Sequence, residues 1–91
     1  MLNKKLDARL RELIVQWGIA ERRIKQAENA RAQEIVSSAI FELRYAGRKV
    51  VDAIDLVLTE KWQSDDAIEE QIHAYIDDAI EDCVKATSLS G

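Results

Sequence analysis

The sequence predicts an all-α protein, an antiparallel bundle of three long amphipathic helices. Three observations lead there. Proline is absent and glycine occurs three times in 91 residues, so little interrupts a helix. Apolar residues make up 47% of the chain and charged residues 33%, a balance of folded rather than disordered chains. Apolar side chains also recur at alternating steps of three and four, which is the spacing of one helix face. Aromatics at 5% give a sheet little to build on.

The first helix is expected from about Asn3 to Glu28. Leu6, Leu10, Leu13, Trp17, Ala20, Ile24 and Ala27 form an unbroken heptad seam with charges between them. The second is expected over about 32–62. Val36, Ile40, Leu43, Gly47, Val50, Ile54 and Val57 repeat the same steps, with Ile35, Ala39, Ala46, Val51, Ala53 and Leu58 beside them. That arc is close to half of the helix. A helix so broadly apolar packs against two neighbours, so the second helix is expected to be central. Glycine placed within its seam, at Gly47, suggests close approach of a neighbouring helix.

No Gly or Pro separates the two helices. The first seam, extended from Ala27, falls on Arg31 and Glu34, so it stops there. Asn29 is the one good capping residue in the stretch, and a turn is expected near 28–31, with one continuous helix over 3–62 as the alternative. The third helix is expected over about 65–86, with Ser64 as its cap and Asp65 and Asp66 favoured in the first turn by the helix dipole. Its apolar face is Ile68, Ile72, Tyr75, Ile76, Ala79, Ile80 and Cys83. Residues 87–91 read as a frayed tail. Residues 1–91 form one domain.

These lengths are roughly 39, 46 and 33 Å. The third helix is then too short to cover the groove between the first two, and apolar surface stays open on the second. Unburied apolar surface marks an interface, so a homodimer or higher oligomer is expected. The residues expected to carry it are Trp17, Phe41, Tyr45, Leu56 and Val57. Trp62 is expected to cap one end of the bundle.

Charge is unevenly spread. Residues 1–31 hold eight basic and four acidic side chains, net +4, while residues 63–91 hold one basic and eight acidic, net −7. The reading preferred is that the first and last helices lie side by side. No apolar stretch follows Lys4 and Lys5, so no signal peptide is expected, and no run reaches the ~18 residues of a membrane span. Cys83 is the single cysteine, too few for a disulfide or a cysteine zinc site. A cytoplasmic protein without cofactor is the expectation.

The chain shows no Gly-rich phosphate loop and no Ser-His-Asp arrangement, so no catalytic residue is assigned and a non-enzyme is expected. Cys83 lies on an apolar face, where a thiol behaves as a small hydrophobe. Two other patterns carry chemistry. Leu10 to Glu28 reads as helix-turn-helix, with Gly18 as the turn and Arg22, Arg23 and Lys25 presented to DNA. Against it, no capping residue follows Gly18 and the heptad seam passes through it unbroken, so nucleic acid is the alternative partner only. Glu70-x-x-His73 has the spacing of di-iron bundles, two copies of which a dimer would supply. On a helical wheel, however, Glu70 points to solvent and His73 to the rim of the apolar face, so no metal ligand is assigned. Glu42-Leu43-Arg44-Tyr45-Ala46-Gly47-Arg48 resembles a segment of small helical HEPN-type proteins over about a tenth of the chain. The arginine–histidine signature of that family's ribonucleases is absent, so the resemblance implies a non-catalytic member at most and assigns no family.

Overall fold

A computed structural model describes residues 4–59 and 64–90. The expected helix start at Asn3, the expected end of the second helix at Trp62 and that residue's capping role lie outside the described residues. Three helices follow one another: α1 (Lys4–Asn29), α2 (Gln33–Thr59) and α3 (Asp66–Ser90). They pack as the expected all-α bundle, with α2 antiparallel to both α1 and α3.

The heptad seam of α1 holds. Leu6, Leu13, Ala20, Ile24 and Ala27 are buried, and Leu10 and Trp17 are half-buried against the same core. The helix closes by two backbone bonds. Arg31 N–H donates to the Glu28 carbonyl and Ala32 N–H to the Ala27 carbonyl, both at 3.0 Å. This 5→2 and 6→1 pair is a Schellman closure. It needs a left-handed residue, and Arg31 supplies it with φ 58°. The turn therefore falls where expected, but Asn29 is the last residue of α1 and does not cap α2. The first bond of α2 runs from Val36 N–H to the Ala32 carbonyl at 3.0 Å.

The seam of α2 is shifted by one position at alternate steps. The residues turned inward are Val36, Ala39, Leu43, Ala46, Val50, Ala53 and Val57. Ala39, Ala46 and Ala53 are 0–1% exposed, whereas Ile40 and Ile54, assigned to the seam from sequence, are 39% and 50% exposed. Small side chains seven residues apart let another helix approach closely, and that helix is α3.

The central element is accordingly α3, which packs against both α1 and α2. The expectation that the second helix is central is wrong for that reason: Ile35, Ile40, Val51, Ile54 and Leu58 of its broad apolar arc face outward. Ile72, Ile76, Ala79, Ile80, Cys83 and Ala86 of α3 are buried. Its N-cap is Asp65, one residue after Ser64: Asp65 Oδ1 accepts from Ala67 N–H at 3.0 Å and from Ile68 N–H at 3.3 Å. At the other end α3 runs on to Ser90 instead of stopping near Ala86. Thr87 and Ser90 turn their hydroxyls back onto the carbonyls of Cys83 and Ala86, so the expected tail over 87–90 is helix.

The three helices thus have 26, 27 and 25 residues, nearly equal lengths. Any apolar surplus must come from how they are splayed, not from a short third helix. The core lies in two clusters. One spans Leu6, Leu13, Ala46, Ala53 and the body of α3. The other joins Ala20, Ile24 and Ala27 to Val36, Ala39 and Ala86 beside the α1–α2 turn. The molecule measures 49 × 19 × 16 Å.

Candidate functional site

With α3 seated against both neighbours on one side, α1 and α2 stay apart on the other. An open apolar groove runs between them. Near mid-length its walls are Leu13, Ile14, Trp17, Gly18 and Glu21 of α1 and Gly47 and Val50 of α2, around a hollow of about 490 Å³. A second hollow of about 200 Å³ lies toward the start of α1 and the end of α2, between Leu6, Leu10, Ile54 and Leu58, floored by Ile72 and Ile76 of α3. The groove's rims stand in solvent: Ile14 is 72% exposed and Leu58 78%. Leaving such side chains in water forfeits the transfer free energy that burial would give.

The two glycines of the groove differ. A Cβ on Gly47 would lie 3.4 Å from Cη2 of Trp17, which is ordinary contact. The Trp17 ring packs over Gly47, and no neighbouring backbone comes within 4 Å of such a Cβ, so the close helix–helix approach expected at Gly47 is not found. A Cβ on Gly18 would meet nothing within 4 Å. Gly18 is helical, exposed and without a role in the packing of its own chain.

The five residues expected at an interface do not share one surface. Trp17 and Val57 line the groove, both half-buried. Leu56 is half-buried against the main core. Phe41 and Tyr45, 59% and 56% exposed, sit on the outer side of α2, where Arg44, Arg48, Val51 and Asp52 surround them in a shallow depression. The groove residues that sequence reasoning passed over are Ile14, Gly18, Ile54 and Leu58. A signal for them existed: Ile14 lies four residues from Leu10 and Gly18 and three from Trp17, flanking the seam on one side.

The segment 10–28 is part of one unbroken helix through Gly18, so no helix-turn-helix exists there. Arg22, Arg23 and Lys25 are all exposed, and at about 100° per residue they lie on the side of α1 turned away from its buried seam. His73 is not at an exposed rim. Its side chain is 12% exposed with Nε2 3.7 Å from a Glu69 carboxylate oxygen, and neither ring nitrogen has a hydrogen-bond partner among the described residues. Glu70 is exposed. Among the described residues no three His, Cys, Asp or Glu side chains converge as metal ligands.

Cys83 is 0% exposed. Burial, with Asp82 next to it, pushes the thiol up to about 11, so the nucleophilic thiolate is scarce at neutral pH. Asp82 is itself buried and is met by Lys49 Nζ at 2.7 Å across the α2–α3 contact. That hydrogen bond, opposed by desolvation and helped by Coulomb attraction, raises the Lys49 pKa. Arg9 joins α1 to Asp77 of α3 at 2.6 Å, so the basic first and acidic last helices do lie together. Neither pair lines the hollows between α1 and α2. No helix among the described residues is long and apolar enough to cross a membrane. Comparison with known protein families, curated proteins and solved structures finds no significant match.

Proposed function

We propose that this chain is a non-enzymatic helical interaction module whose working surface is the α1–α2 groove. One observation carries the reading: the two most exposed large apolar side chains of the described residues, Leu58 and Ile14, line the two apolar hollows that α1 and α2 leave between them. A groove of this width between two helices is shaped for the apolar face of a further helix, read by anchors at helical spacing. Lys49 and Asp82 are explained by their pairing and Cys83 by its packing, so these three supply no reason to assign catalysis.

The test is site-directed photo-crosslinking in the native host. A photoreactive side chain at position 14, on the groove rim, is expected to give a discrete covalent adduct. The same group in place of the exposed Glu12, on the far side of α1, is expected to give none. Equal labelling from both positions, or none from either, removes the groove as a working surface.

A further inference from the structure

The geometry points to a second copy of this chain as the occupant of the groove, laid face to face about a two-fold axis with Gly18 at the point of closest approach. This rests on the groove being the working surface, as proposed above, and adds what fills it.

Area is the first argument. A folded monomer of 10.3 kDa is expected to expose about 5,400 Å², and this chain exposes 6380 Å². The surplus of about 1,000 Å² is close to the roughly 800 Å² that each partner gives to a standard interface. Shape is the second. The molecule is 49 Å long but only 19 and 16 Å across. A copy laid along the groove thickens a thin dimension and leaves the long one alone. The two α1–α2 pairs then form a four-helix layer, with each α3 outside it. Such a layer meets the packing rules of four-helix bundles.

Self-complementarity is the third argument, because a two-fold contact demands knobs and holes in the same patch. The groove holds both. Ile14 and Leu58 project from its rims, and Gly18 leaves a notch where an added Cβ would touch nothing. A glycine within a helix is unfavourable relative to alanine. Within one chain nothing repays that at Gly18, whereas a partner side chain entering the notch does. The aromatic patch of Phe41 and Tyr45 lies outside this contact and stays free.

The experiment is sedimentation equilibrium of the purified full chain over a micromolar concentration series, for the natural sequence and three variants. A dimer is expected. Gly18→Leu, which fills the notch, and Ile14→Glu, which charges a rim, are each expected to raise its dissociation constant about tenfold or more. Tyr45→Glu is expected to leave it unchanged. Circular dichroism melts of the dilute variants check folding, and all three positions are exposed, so each monomer should retain its helices. A natural chain that stays monomeric throughout overturns the second copy as occupant. A dimer broken by Tyr45→Glu and not by Gly18→Leu or Ile14→Glu overturns it too, placing the contact on the outer side of α2. Crosslinking at position 14 separates the two proposals: an adduct of another mass keeps the groove and removes the self-contact, and no adduct removes both.

Discussion

Arg31 occupies a backbone conformation that favours glycine, with φ 58°. A side chain there places Cβ against its own carbonyl, at about 1 kcal/mol or more. The Schellman closure of α1 compensates by satisfying the Glu28 and Ala27 carbonyls. The Arg31 side chain is exposed and makes no ion pair among the described residues. Arg31→Gly is therefore expected to stabilise the chain by about 0.5–1 kcal/mol, read as a higher urea midpoint; a lower midpoint would show that the arginine has a role that backbone strain does not reveal. A second residue-scale expectation concerns Lys49 and Asp82. The two side chains are unequally buried, 34% and 11% exposed. Removing the lysine strands a carboxylate in the α2–α3 contact, while removing the carboxylate leaves an ammonium that still reaches water. Lys49→Ala should then cost about 2 kcal/mol and Asp82→Asn about 1 or less, the usual cost of a broken buried pair being discounted for exposure of the lysine. The sign with pH follows from the raised Lys49 pKa. The folded value lies above the unfolded one near 10.5, so the contribution is complete below pH 10.5 and is lost as pH rises through the folded value. Equal losses for the two variants would mean that Asp82 finds water or another donor when Lys49 is gone.

Ala46 shows what decides the phase of α2. It is 0% exposed, in line with Ala39 and Ala53 beneath α3. Enlarging it forces the two helices apart along their whole contact. Ala46→Leu is expected to destabilise by about 2–3 kcal/mol in a denaturant titration, whereas a loss below about 0.5 kcal/mol would place the close α2–α3 contact elsewhere. The same position explains which elements were legible in the sequence. In α1 the large apolar residues hold the seam and charges flank it, so period and phase could be read together. In α2 apolar residues fill both the seam and one flank. The phase holding Ile40 and Ile54 then carries the larger apolar side chains, although the small residues one step earlier are those buried. What selects them is the proximity of α3, a long-range condition absent from the local pattern. The end of α3 was hidden for a different reason: Thr87, Ser88 and Ser90 are weak helix formers, and Thr87 and Ser90 are held by bonding their hydroxyls to carbonyls one turn back. The groove was legible only as a surplus of apolar residues. Which of them share a face depends on the splay of α1 from α2, and that is fixed by α3 packing against both.

For the whole molecule, elongation, open groove and the proposed dimer are one physical problem. A 91-residue chain has little core to spare, and this one leaves Ile14, Ile54 and Leu58 at least half exposed while spending its small residues on close contact with α3. Burial of those side chains against a second copy adds to the stability of each chain by mass action. Folding and association are then linked, and the melting temperature must depend on concentration. With an unfolding enthalpy of about 0.7 kcal/mol per residue, a tenfold rise in concentration above the dissociation constant should raise the melting temperature by roughly 4 °C. Ile14→Glu should melt lower and lose that dependence at concentrations below its raised dissociation constant, because the side chain is 72% exposed within its own chain and its charge reaches water once the copies separate. The comparison is made by differential scanning calorimetry on both proteins at three concentrations. If the natural chain melts at one temperature at every concentration, the three helices are sufficient alone and the exposed groove carries no self-contact. If both proteins show the same concentration dependence, the copies meet on a face that Ile14 does not border.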